Sequence, residues 1–168
     1  KQKVLEVIPA GAEVMNMTSM TLEAISLVTE LTGSNIYTPV RKQLAALDEK
    51  TQASQKKKLG AAPDWVVGSV HAVTESGQVV VASNTGSQLP AYAYGAQHVI
   101  WVVGTHKIVK DFDEAMKRVY EHSLRLESER AKKAYGVPGS SVNKLLIVNR
   151  EVTPGRITLI FVNEVFGF

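Results

Sequence analysis

Three short polar segments of this chain have the composition of anion-binding loops. Their hydroxyl, amide and backbone N–H groups are the donors that proteins use to bind phosphate or carboxylate oxygens. Each segment lies beside a predicted strand, where an open α/β sheet collects its ligands. The candidate binding residues are Asn16, Thr18, Ser19, Asn84, Thr85, Gly86, Ser87, Ser140, Ser141 and Asn143. Taken singly, each segment fits plain helix capping or a turn better, so the predicted site requires that the three segments come together.

Glu75 is the candidate catalytic residue. It occupies a predicted turn, residues 75–77, between two valine-rich segments. A carboxylate held at such a turn inside a cleft could act as a general base or as a nucleophile. A solvated hairpin tip is the competing interpretation, and spacing alone favours it.

The residue types that are missing or scattered exclude several chemistries. The chain has no cysteine, which excludes disulfides, thiolate zinc sites, iron–sulfur ligation and a cysteine nucleophile. The four histidines are not spaced as metal ligands, and His71 and His98 fit a structural role in apolar strands. No P-loop, dinucleotide fingerprint or serine-hydrolase elbow occurs. We therefore expect no metal and no cofactor.

The composition indicates a globular domain with a real core. Of the 168 residues 45% are hydrophobic, and the formal net charge is only +3. Positive charge is concentrated in residues 41–58, but few aromatic residues accompany it, so nucleic-acid binding ranks lowest among the possible functions. With no membrane-length apolar run, no signal peptide and no cysteine, we expect a cytoplasmic protein without a membrane partner. We also expect a trimmed N-terminus, because the chain starts inside a helical-looking segment.

The hydrophobic pattern predicts alternating strands and helices. The predicted strands are residues 13–17, 65–74, 78–82, 98–103, 145–149 and 157–163. The predicted helices are residues 20–33, 39–59 with a polar interruption at 51–55, 90–94 and 111–136. Residues 65–82 are expected to form a hairpin, residues 78–103 a βαβ unit, and residues 145–163 a closing hairpin. The fold class is α/β, a mostly parallel, mixed open sheet flanked by helices, in one domain over residues 1–168.

Two runs of sequence resemble the LUD domain, the family named for lactate utilization. They are VHAVTESGQVVVASNTG at 70–86 and HVIWVVGTHKIVKDFDEA at 98–115, and the segments 15–25 and 140–164 look similar as well. The resemblance implies a fold like that of ribose-phosphate isomerases, glucosamine-phosphate deaminases and CoA transferases. It also implies an association with lactate oxidation alongside iron–sulfur partner proteins.

The same resemblance gives Glu75 a specific role to consider. In type I CoA transferases a glutamate in an S-E-N-G turn forms the acyl-enzyme link, and the turn at residues 74–77 is similar. Thr74 stands in place of the serine and Ser76 in place of the asparagine.

Two kinds of function fit these observations. The first is a ligand-binding or catalytic domain whose cleft accepts a small carboxylate, a phosphorylated metabolite or a CoA ester, with a CoA transferase-like enzyme using Glu75 as one variant. The second is a non-catalytic accessory subunit of an iron–sulfur or flavin oxidoreductase, in which Phe166 and Phe168 could contact the partner. The residues leave the oligomeric state open.

Overall fold

The computed structural model describes all 168 residues and contains seven α-helices and nine β-strands. The helices are α1 (Gln2–Val7), α2 (Met20–Ala24), α3 (Leu27–Gly33), α4 (Val40–Ala46), α5 (Ala53–Ala61), α6 (Phe112–Lys117) and α7 (Leu124–Tyr135). The strands are β1 (Glu13–Asn16), β2 (Thr38–Pro39), β3 (Trp65–Gly68), β4 (Ala72–Thr74), β5 (Val79–Ser83), β6 (His98–Gly104), β7 (Ile108–Val109), β8 (Lys144–Val148) and β9 (Ile157–Val162). No helix is long and apolar enough to cross a membrane.

The strands form two sheets. The first sheet has five strands in the order β2-β1-β3-β6-β9, and every pairing in it is parallel. The second sheet has four strands in the order β7-β4-β5-β8, with antiparallel pairings on both sides of β5 and a parallel pairing of β4 with β7. The α/β class with a mostly parallel sheet flanked by helices is therefore confirmed.

Side chains alternate between the two faces of each sheet. One face of each sheet packs against helices and the other faces the second sheet, so the fold has four layers, which are helices, sheet, sheet and helices. In β6, Ile100 and Val102 face a cluster that includes residues of α1, α2 and α3. Trp101 and Val103 face the opposite cluster, which contains Val79 and Val81 of β5. Val80, between those two valines, instead packs against α6 and the turn after it. The consecutive valines of β5 are thus buried on both faces of their strand, as their composition predicts.

The predicted hairpin turn at residues 75–77 is confirmed, because β4 and β5 pair in antiparallel fashion across it. The continuous strand before that turn and two other predicted connections are wrong, for the same reason. Residues 65–74 are two strands in different sheets, because the chain bends at residues 69–71 after β3 and only β4 pairs with β5. The βαβ unit over residues 78–103 fails because β5 and β6 lie in different sheets. The closing hairpin fails because β8 pairs with β5 while β9 pairs with β6. Apolar strands that are adjacent in sequence do not reveal to which of two sheets each belongs.

Three predicted helical segments are interrupted. Residues 39–59 form two helices, α4 and α5, as the polar interruption predicts, although the break lies at residues 47–52. The helix over residues 20–33 is split by Ser26, whose φ of 54° is left-handed. The helix over residues 111–136 contains a π-helical turn, Arg118–Ser123, between α6 and α7. Its ends are as predicted, because Asp111 caps the N–H of Glu114 at 3.0 Å and Gly136 ends the helix at a φ of 67°. A second π-helical turn, Ala91–Gly95, precedes β6.

Candidate functional site

A cavity of about 820 Å³ lies between the two sheets. Its wall includes Met15 and Met17 at the end of β1, Val70 beyond the end of β3, and Val81 of β5. Helices α5 and α7 supply further lining residues, as do both π-helical turns. This volume falls within the range of small-molecule sites, and single-turn π-helices are frequent at such sites.

Eight of the predicted binding residues line this cavity together. They come from all three polar segments and are Thr18, Ser19, Asn84, Thr85, Gly86, Ser87, Ser140 and Ser141. The first segment ends β1 of the first sheet, the second ends β5 of the second sheet, and the third precedes β8. Their convergence is a property of the two-sheet arrangement, which stacks the ends of these strands around one space.

Three predicted residues lie elsewhere. Asn16 borders an adjoining hollow of about 290 Å³ that shares Thr18 and Arg41 with the cavity, and the Asn16 carbonyl oxygen accepts a hydrogen bond from Arg41. Asn143 is not part of the lining but supports it, because its amide donates to Asn84 at 2.7 Å. Glu75 is exposed at the β4–β5 turn, outside the cavity, and its carboxylate makes no hydrogen bond or ion pair. A catalytic role for Glu75 stays a prediction that no neighbouring group supports.

The loop after β5 is held by bonds within itself. Gly86 donates its N–H to the Ser83 hydroxyl at 2.8 Å, and Lys144 donates to the carbonyl of Thr85 at 2.6 Å. Gly86 has a φ of 85°, and a Cβ there would press against the Lys144 side chain. Turn formation therefore accounts for part of this loop's composition. This loop therefore gives the cavity a polar wall whose shape is fixed by the loop's own hydrogen bonds.

The charges around the cavity are unbalanced. The lining includes five basic side chains, which are Arg41, Lys56, Lys57, Lys107 and Arg130. Glu127 is the one acidic side chain of the lining, and it is committed to Arg130 through two hydrogen bonds of 2.7 Å. Ten serine and threonine residues of the lining add hydroxyl donors. The cavity is thus suited to a negatively charged ligand.

Arg41 connects this site to the first sheet. Its Nε donates to the Asn16 carbonyl at 2.9 Å, and its Nη2 donates to the Thr18 hydroxyl at 3.1 Å. No carboxylate lies within ion-pair distance of it. These two bonds fix the guanidinium beside the cavity and leave its charge available to a ligand.

Lys107 is the most unusual residue of the lining. It follows β6 and is only 2% exposed, and its Nζ lies 3.3 Å from the Thr21 hydroxyl, 3.2 Å from the Ser69 hydroxyl and 3.0 Å from the Val70 carbonyl. No carboxylate neutralises it. Burial, and to a smaller extent the positive charge of Arg118, lowers the pKa of Lys107 to about 7. A substantial fraction of this amine is therefore uncharged at neutral pH.

His71 and Arg118 complete the surroundings of this lysine. Burial, followed by the charges of Lys107 and Arg118, lowers the pKa of His71 to about 4, so its ring is neutral. Nδ1 of the ring accepts from the Ala82 N–H at 3.1 Å, which places the proton on Nε2. Arg118 donates from Nε to the His71 carbonyl at 2.9 Å, while its Nη2 is buried without a partner. The Ser123 hydroxyl, also in the lining, is likewise buried and unpartnered.

The sequence interpretation missed the basic side chains that distinguish this site. Lys107 follows the carboxyl end of the parallel strand β6, so the rule that located Thr18 and Ser19 could also have located it. Arg41 and Lys56 were assigned to a basic segment without a site. Phe168, considered as a partner contact, lines the cavity, and the carbonyl of Phe166 accepts from Thr21 at 3.0 Å. No three His, Asp or Glu side chains come together in a group that could hold a metal ion.

One comparison with known protein families agrees with the sequence resemblance. No curated protein matches the chain. A crystal structure of a DUF162 family protein from Deinococcus radiodurans is similar at a TM-score of 0.44 and 13% identity, covering 91% of this chain and 88% of that one. A family model described as the LUD domain matches residues 1–162, so the resemblance is confirmed and the chain belongs to the LUD domain family.

Proposed function

We propose that this LUD domain binds an anionic organic metabolite in the cavity between its two sheets. The observation that carries the proposal is the set of five basic side chains in the lining against one acidic side chain that is already paired. Four of the five have no carboxylate within ion-pair distance, and Lys107 among them is buried, so a carboxylate or phosphate of a ligand would supply the missing counter-charge. The family name suggests that the setting is lactate utilization, and the absence of cysteine suggests the cytoplasm.

The size and polarity of the cavity favour a ligand with an apolar part. Fourteen of the 36 lining residues are hydrophobic, among them Met17, Leu44 and Tyr92. A three-carbon acid such as lactate would fill a small part of about 820 Å³. A phosphorylated metabolite or an acyl-CoA would contact both the basic groups and the apolar wall, so these are the first candidates.

Ligand-induced stabilisation tests the proposal. The melting temperature would be measured with lactate, a sugar phosphate and acetyl-CoA, each beside a neutral analogue of similar size. A ligand at 100 times its dissociation constant adds about 2.7 kcal/mol to the free energy of unfolding. We expect at least one anion to raise the melting temperature, and the effect to weaken as salt increases. If no anion does so, or if the neutral analogues act equally well, the proposal is refuted.

A pair of variants ties the binding to the cavity. Arg41→Met removes a hydrogen bond to a charged ligand that is worth about 1.5–3 kcal/mol, which weakens binding roughly 10- to 100-fold. Arg125→Met is the matched control, because Arg125 pairs with Glu129 on an exposed face of α7 outside the lining. Melting without ligand checks that both variants fold. Equal affinities of the two variants would contradict a role for Arg41.

A further inference from the structure

Lys107 is better suited to act as a nucleophile than as a fixed charge. We propose that its Nζ captures an aldehyde or ketone carrying a carboxylate or phosphate, and forms an imine within the cavity. This inference rests on the proposed function, because the captured molecule would be the anion that the cavity binds. It adds a covalent step and a requirement for a carbonyl group.

The ammonium form of Lys107 donates to three neighbours, which are the Thr21 hydroxyl, the Ser69 hydroxyl and the Val70 carbonyl, and a neutral amine can be held by the same three groups. The Thr21 hydroxyl donates its own proton to the Phe166 carbonyl at 3.0 Å, so it can only accept from Lys107. The Val70 carbonyl, at 3.0 Å, must also accept. These two contacts use both N–H groups of a neutral amine, and the lone pair is left for the third neighbour.

That third neighbour is the Ser69 hydroxyl. It lies 3.2 Å from Nζ, and Ser69 is a residue of the cavity lining with partial exposure. Serine can donate to the lone pair and can also rotate away from it. Rotation of Ser69 would open the lone pair to a carbonyl carbon that enters the cavity.

Burial, and to a smaller extent the positive charge of Arg118, holds the pKa of Lys107 at about 7 and so keeps about half of this amine uncharged at pH 7. The charged group that acts on Lys107 is the guanidinium of Arg118, and His71 beside it is neutral. An exposed lysine with an ordinary pKa of ~10.4 has roughly a thousand-fold smaller fraction of free base at pH 7. The difference directs a carbonyl reagent to this lysine.

The reaction balances with water as the only by-product. The lone pair of Nζ attacks the carbonyl carbon, a C–N bond forms, and a proton moves from nitrogen to oxygen to give a carbinolamine. The C–O bond then breaks, the oxygen leaves as water, and a C=N bond remains. No oxidant, reductant or metal is consumed. The anionic group of the reagent is held by the other basic side chains of the lining, such as Arg41.

Reductive trapping tests the proposal on the intact protein. Glyoxylate serves as the carboxylate probe and pyridoxal 5′-phosphate as the phosphate probe, each with cyanoborohydride, and propanal is the uncharged control. Peptide mapping by mass spectrometry then locates the adducts. We expect Lys107 to be labelled before any other lysine by at least one anionic probe, with a rate that rises through about pH 7. Propanal should label Lys107 at least 10-fold more slowly.

Two variants distinguish a reactive Lys107 from a lysine that has only a structural role. Lys107→Arg should lose the adduct, whereas Lys117→Arg, which changes an exposed lysine outside the lining, should keep it. Mapping of the unaltered protein decides the question even if Lys107→Arg does not fold. Labelling confined to surface lysines, or equal labelling of Lys107 by propanal, would overturn the proposal. If labelling fails while anions still raise the melting temperature, the imine is refuted and the anion site stands.

Discussion

The buried amine of Lys107 predicts a specific dependence of stability on pH. Its pKa is about 7 in the folded protein against an ordinary value of 10.5. Between these two values the unfolded chain binds one more proton than the folded chain, so the free energy of unfolding rises as pH increases. Below pH 7 both forms are protonated and the full cost of the buried charge is present. The difference in pKa corresponds to about 5 kcal/mol, most of it recovered between pH 7 and 10.

Urea denaturation across this pH range measures the effect. Lys107→Met should remove the slope, so the stability difference between the natural protein and the variant changes by several kcal/mol from pH 6.5 to pH 10. Lys117→Met, at an exposed lysine, should leave the slope intact. Other buried groups titrate outside the window. His71, with a pKa of about 4, acts below pH 7, and burial raises the pKa of Tyr92, which acts above pH 10. Parallel curves for the natural protein and Lys107→Met would refute the reasoning.

Three further predictions concern residues outside the cavity lining that stabilise individual elements of the fold. Gly68→Ala should lower the free energy of unfolding by about 1–3 kcal/mol, because a Cβ there would overlap the hydroxyl of buried Tyr92. Adding Tyr92→Phe should recover part of this loss in equilibrium unfolding. Arg156→Met should lower the free energy of unfolding by at least ~3 kcal/mol, because the guanidinium donates to the carbonyls of Ala91, Tyr92 and Ala96. Glu151→Gln keeps those three bonds and should lower the free energy of unfolding by less. Asp111→Ala should lower stability by about 1 kcal/mol through loss of the cap of α6, visible as reduced helicity or a lower urea midpoint.

The fold class and most elements could be predicted from the sequence because they depend on local signals. Asp111 and Gly136 mark the ends of the last long helical segment, and the three consecutive valines of β5 indicate burial on both faces. Strand partners could not be predicted. β8 and β9 are both short and apolar, yet each completes a different sheet, and the choice depends on contacts with β5 and β6 that are distant in sequence.

The candidate site, like the fold, could be predicted only in part from the sequence. Hydroxyl, amide and glycine residues near strand ends can be predicted from the sequence because loop chemistry is local, and eight of them line one cavity. The position of Lys107 after β6 marks it as a candidate, but its burial could not be predicted, and nothing local distinguishes Arg41 and Arg130 from other basic residues. The burial of Lys107 follows from the packing of residues 105–107 near Thr21 and Val70, far away along the chain.

The basic residues, rather than the polar loops, are therefore the evidence that distinguishes a site from a well-capped fold. Every helix and turn needs hydroxyls and glycines, and the bonds of Ser83, Gly86 and Lys144 show how completely a loop can use them for its own shape. A buried amine beside a guanidinium is different, because its three hydrogen bonds to neutral groups still leave its positive charge without a carboxylate. Lys107 and Arg118 are in that position, and Arg118 still has an unpartnered Nη2. An anionic ligand that also bears a carbonyl group would compensate the charge and use the amine.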